Sequence, residues 1–131
     1  MSGVVFQLQG IDHVALAVRD VDRSAKWYQE VLGLERRYEE IWGNHPAVVG
    51  VGSTSLALFP VQGQDPAPTP GRNVLAMRHI AFRVDHSNFQ RARVALVQQG
   101  IPIEFQDHTI AHSIYFRDPD GHQIEITTYD L

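Results

Sequence analysis

Two stretches of the chain run through the same succession of hydrophobic and polar patterns. Residues 11–18 (IDHVALAV) form an extended apolar run, and a helical segment over 21–32 follows, closed by Gly33. Residues 78–84 (RHIAFRV) repeat the run, followed by a helical segment over 87–99 and Gly100. Ala25, Tyr28, Val31 and Leu32 make one helical apolar stripe, and Phe89, Ala92 and Leu96 make the other. Each glycine can supply the left-handed residue that ends a helix. Three strand-like segments come after each helix, at 35–42, 47–52 and 55–61, then at 103–106, 113–117 and 123–129. Each unit therefore reads β-α-β-β-β. His13 precedes Gly33 by 20 residues and His79 precedes Gly100 by 21, so the two histidines hold equivalent places in a duplication. Residues 62–72, with Pro66, Pro68, Pro70, Gly63 and Gly71, break any regular pattern and read as a connector. The expected fold class is α+β: two paired β-α-β-β-β modules forming a cupped mixed sheet with helices on the outer face. This makes a single domain over 1–131, with module one at about 8–61 and module two at about 76–131.

Alternation divides each strand into two faces. Val14, Leu16 and Val18, Leu56 and Leu58, Ile80, Phe82 and Val84, Ile114 and Phe116, and Ile124 and Ile126 would face the helices. The opposite face carries His13, Ala15 and Ala17, Ala57 and Phe59, His79, Ala81 and Arg83, Ser113, Tyr115 and Arg117, and Gln123, Glu125 and Thr127. Small alanines mixed with polar groups leave room for a ligand.

Composition narrows the chemistry. At 131 residues the chain can bury a core without disulfides, and the absence of cysteine leaves any metal to N and O ligands. No apolar run approaches a membrane span, and the first residues show no secretory pattern, so a cytoplasmic location is expected. A net charge of −4 with scattered Lys and Arg gives no basic patch for nucleic acid. The expected partner is a small-molecule substrate.

Within that frame Glu125 stands out, because a carboxylate between Ile124 and Ile126 in a half-buried strand is costly unless a cation or a donor meets it. Two histidines at duplicated positions join it to make a set of two imidazoles and one carboxylate, which leaves coordination positions open. Each histidine alone has an ordinary reading as a hydrogen-bonded polar group. The sequence Asp118-Pro119-Asp120-Gly121 is by itself a tight-turn signal.

Four strings, 12–18 (DHVALAV), 27–34 (WYQEVLGL), 78–82 (RHIAF) and 115–125 (YFRDPDGHQIE), resemble markers of the vicinal oxygen chelate superfamily, which includes glyoxalases, bleomycin resistance proteins and extradiol dioxygenases. The resemblance covers nearly the whole chain. It implies a metal-dependent enzyme with ligands at His13, His79 and Glu125. It also implies a homodimer, which unpaired sheet edges favour as well, and a site formed within one chain or across two. Glyoxalase I-like members carry a fourth ligand at or near Ala57, which cannot coordinate. The pattern left is the two-histidine, one-carboxylate set shared by extradiol dioxygenases and fosfomycin-type thiol transferases. From His108 through Tyr115 to Glu125 the order is similar to the extradiol signature, with Gln106 departing from it. That similarity implies a proton carrier at His108, a hydroxyl toward a bound oxygen at Tyr115, and Fe(II) ahead of Mn, Ni or Zn. His112 and His122 read as surface groups. Ala15 stands where the thiol transferases carry a hydroxyl residue. The leading expectation is oxygenation of a small catecholic or vicinal-oxygen substrate. The alternatives are a glyoxalase I-like lyase or isomerase, a thiol transferase, and an antibiotic-binding protein without catalysis. Trp42, Phe59, Arg83 and Arg117 would suit an aromatic or anionic compound.

Overall fold

The computed structural model describes residues 3–131, and it divides between Gln62 and Gly63 into two compact units. The first holds β1 (His13–Val18), α1 (Val21–Leu32), β2 (Glu35–Arg37), α2 (Glu39–Trp42), β3 (Ala47–Val51) and β4 (Thr54–Pro60). The second holds β5 (Ile80–Arg83), α3 (His86–Gln98), β6 (Glu104–Asp107), β7 (His112–Arg117) and β8 (Gln123–Thr128). Their sheets have matching orders, β1-β4-β3-β2 and β5-β8-β7-β6, with one parallel pair in each (β1 with β4, β5 with β8). The duplication thus extends to strand order. A parallel pair needs a crossover, and in each unit the crossover carries the helix.

Helix starts and stops repeat as well. The Asp20 carboxylate accepts from the Arg23 amide at 3.0 Å and the Asp85 carboxylate from the Asn88 amide at 2.8 Å, so an aspartate satisfies an orphan N–H at both N-termini. Gly33 (φ 69°) and Gly100 (φ 76°) adopt the left-handed conformation just past each helix. Ala25 and Tyr28 on α1 are buried, with Val18, Val49, Leu56 and Leu58 buried in the same unit. In the second unit Phe89 and Leu96 of α3 are buried, as are Ile114, Phe116, Ile124 and Ile126. On β1 and β5 the expected core side is only partly shielded: Val14, Leu16, Ile80, Phe82 and Val84 are half-buried.

One expected strand is shorter than its pattern. Residues 35–42 do not run as one strand: β2 stops at Arg37, Tyr38 takes a positive φ of 61°, and Glu39–Trp42 form a single helical turn. Arg36 reaches back across that turn to the Gly43 carbonyl (3.1 Å) and the Asn44 side chain (3.0 Å). These side-chain bonds within the loop accompany the break in the extended pattern. Among the described residues no helix is long and apolar enough to cross a membrane.

Candidate metal and substrate site

β8 is the central support in the second unit, parallel to β5 and antiparallel to β7. Its alternation sends Ile124 and Ile126 into the core and leaves Glu125 on the other face, still only 8% exposed. The register sets Tyr115 directly across from Glu125, and Ser113 across from Thr127. His79 immediately precedes β5, and its Nε2 lies 2.8 Å from Glu125 Oε1. The Ser113 hydroxyl, fully buried, donates to Glu125 Oε2 at 2.6 Å and lies 2.9 Å from Thr127 Oγ1. Both carboxylate oxygens are therefore engaged, which offsets the cost of burying them. Ser113 lies on the face that alternation gives it, and its position two residues before Tyr115 is the sequence signal for its part here.

Tyr115 stands over this pair. Its ring meets the His79 imidazole edge to face, with centroids 5.7 Å apart. Its hydroxyl is 2.9 Å from His108 Nε2. Partial burial and then the nearby Glu125 carboxylate push the phenol above its ordinary range, so Tyr115 remains a proton donor at neutral pH. His108 sits in a tight turn whose ends are joined by its amide donating to the Ala111 carbonyl at 2.8 Å, with Thr109 at φ 74°. The fold thus gathers His79, Glu125, Tyr115 and His108, all picked out in the sequence, and adds Ser113.

His13 lies in the first unit as the first residue of β1. Its Nδ1 is 2.9 Å from Asp12 Oδ2. If Nδ1 carries the proton to that carboxylate, the lone pair is left on Nε2, the orientation a metal-ligating imidazole needs. His13 borders a cavity of about 780 Å³ that Trp42, Ile41, Phe59 and Ala57 also line. Trp42 and Phe59 therefore face a cavity as expected, and Arg117 lines a different one in the second unit. Arg83 lines a third, more open cavity beside Tyr129, with its guanidinium 4.6 Å from the centre of that ring. Among the described residues no group of three or more His, Asp or Glu side chains is gathered as a ready-made metal site.

His122 and His112 have structural partners. His122 Nδ1 is 2.8 Å from Asp118 Oδ2, while Asp118 Oδ1 accepts from the amides of Asp120 (3.0 Å) and His122 (2.8 Å). The tight turn read from the Asp-Pro-Asp-Gly sequence is thus bound together by Asp118. Its hydrogen bond raises the His122 imidazole above the usual range, against a smaller opposing effect of burial. His112 packs on Phe105, with centroids 5.2 Å apart.

A family model described as the glyoxalase/bleomycin resistance protein/dioxygenase superfamily matches residues 10–126. The chain is 31% identical over 119 residues to the glutathione transferase FosA of Serratia marcescens, covering 91% of this chain and 80% of that one. It is 33% identical over 129 residues to the metallothiol transferase FosB of Lysinibacillus sphaericus, covering 95% and 85%. Among solved structures, a glyoxalase/dioxygenase from Nostoc punctiforme superposes with a TM-score of 0.80 at 26% identity, covering 98% of this chain and 97% of that one.

Proposed function

Because the chain belongs to the glyoxalase/bleomycin resistance protein/dioxygenase superfamily, we propose that it is a metal-dependent enzyme acting on a small oxygen-bearing substrate, with His79, Glu125 and His13 as the metal ligands. The donor set supports this. Two ligands at right angles on an ion, each about 2.1 Å from it, stand about 3.0 Å apart, and the His79–Glu125 separation is 2.8 Å. That closeness, which in the metal-free protein is a direct contact, supports the two as ligands of one ion. The third ligand is His13 of the first unit, from the same chain or from a second copy. A homodimer agrees with the exposed apolar residues Val5, Leu8 and Ile11 just before β1.

Such an ion supplies Lewis acidity and open positions for vicinal oxygens. The protein's own groups do the rest. Ser113 holds the Glu125 carboxylate in one orientation. Tyr115 donates its phenolic proton toward a bound substrate oxygen, and His108, in hydrogen-bond contact with that phenol, takes up or returns a proton. The His108–Tyr115 contact at 2.9 Å carries our choice of reaction, ring-opening oxygenation of a catechol by dioxygen, because it joins the two residues of the extradiol-like stretch. Thiol transfer to a small electrophile is the second reading, favoured by the 31% and 33% identities to FosA and FosB.

The test begins with metal analysis: the wild type should bind one ion per chain, and His79→Ala or His13→Ala should lose it. Unchanged metal content in both variants refutes the ligand set. The Fe(II) form should then consume oxygen with a catechol, and His108→Ala should lower the rate about 10²- to 10⁴-fold with metal retained. Tyr115→Phe should cost less. Thiol consumption by the Mn(II) form, with no oxygen uptake by the iron form, would select the second reading.

A further inference from the structure

We infer that the second unit contains an anion subsite, built from Arg72, Arg78 and Arg117, that binds a carboxylate, phosphonate or phosphate on the end of the substrate away from the reacting oxygens. The inference rests on the proposed function only in assigning those oxygens to the Glu125 end. The cavity itself has a volume of about 460 Å³, within the range of small-molecule sites. Three of the chain's eleven basic side chains line it, and no Asp or Glu does, in a protein whose net charge is −4. A concave wall of one sign attracts the opposite charge.

Register locates the subsite. Arg117 pairs with Gln123 in the β7–β8 ladder, two residues along from the Tyr115–Glu125 pair, and so shares the face that carries them. Gln123 also lines the cavity, and Arg78 adjoins His79 in sequence. The subsite therefore borders the candidate metal ligands of the same unit. Arg117 Nη1 donates to the Gly121 carbonyl at 2.8 Å, which anchors the guanidinium and leaves most of its N–H donors free. Guanidinium forks match carboxylate and phosphate oxygens in pairs. Leu75 and Met77 give the cavity an apolar side for the body of the ligand.

Calorimetric titration of the chelator-treated protein tests this, with phenylphosphonate, benzoate and inorganic phosphate as probes and benzyl alcohol as the neutral control. The anions should bind in the millimolar range or tighter, more weakly as salt rises, and the alcohol should not bind. Loss of one charge-assisted contact should weaken phenylphosphonate about tenfold in Arg72→Gln or Arg78→Gln, with partial recovery in Arg78→Lys. Binding of the alcohol equal to that of the anions, affinity unchanged in both glutamine variants, or no anion binding at all would each overturn the inference. The protein in this assay holds no metal, so failure of the ligand set leaves the outcome intact. Retained binding in His79→Ala would confirm that the two are separate.

Discussion

Replacing Ser113 with alanine removes the hydroxyl that donates to Glu125 Oε2 at 2.6 Å. Glu125 keeps its contact to His79, and Thr127 Oγ1, which loses Ser113 as a neighbour, retains its bond to the His112 carbonyl at 3.3 Å. The loss is therefore concentrated on one buried carboxylate oxygen. A hydrogen bond to a charged group contributes about 1.5–3 kcal/mol, and because Ser113 is fully buried, water cannot readily replace it. We expect Ser113→Ala to destabilise the metal-free protein by about 2 kcal/mol, or roughly 6–10 °C in Tm at this chain length. Urea unfolding monitored by circular dichroism measures the first quantity and a thermal scan the second. The same variant should bind the metal about 10- to 100-fold more weakly, since a partner that orients a ligand typically has that effect. A double-mutant cycle with Glu125→Gln should give a coupling energy of about 0.5–3 kcal/mol. A urea midpoint and a metal affinity both equal to wild type would refute the claim that Ser113 orients Glu125.

His122→Gln should show a stability loss that depends on pH. Asp118 raises the His122 imidazole in the folded state, so the folded protein holds that proton more tightly than the unfolded chain. The stabilisation is fully present below the unfolded value of about 6.5 and fades as pH rises through the higher folded value. The gap between wild-type and variant urea midpoints should accordingly narrow on going from mildly acidic to alkaline buffer, and a pH-independent gap would contradict the assignment. Gly50→Ala should destabilise the protein by about 1–3 kcal/mol through overpacking, since a Cβ at Gly50 would lie 2.5 Å from the Thr54 carbonyl oxygen and 2.7 Å from Arg37 Nη1. The arginine can swing away but the strand backbone cannot without disturbing the β3–β4 ladder, so an unchanged urea midpoint would refute the close packing.

Much of the fold was legible because its signals are local. Helix α1 spans the residues 21–32 that its apolar stripe and closing Gly33 predict, since that glycine acts within a few residues of the chain. Periodicity of two likewise put Ile124 and Ile126 in the core and Glu125 on the opposite face. Residues 35–42 depart from the extended pattern where Tyr38 takes a φ of 61° and Arg36 holds Gly43 and Asn44, seven and eight residues on, contacts that periodicity does not record. The sequence by itself determined the duplication, the paired β-α-β-β-β units and the candidates His13, His79, Glu125, His108 and Tyr115. Only tertiary structure decided what those side chains meet. Strand pairing brings Ser113 onto Glu125, sets Tyr115 between Glu125 and His108, and puts Arg72 and Arg78 around a cavity with Arg117, 45 residues beyond Arg72 in the chain. Such contacts depend on ladder register and chain crossover, and both are set by packing between segments far apart in sequence.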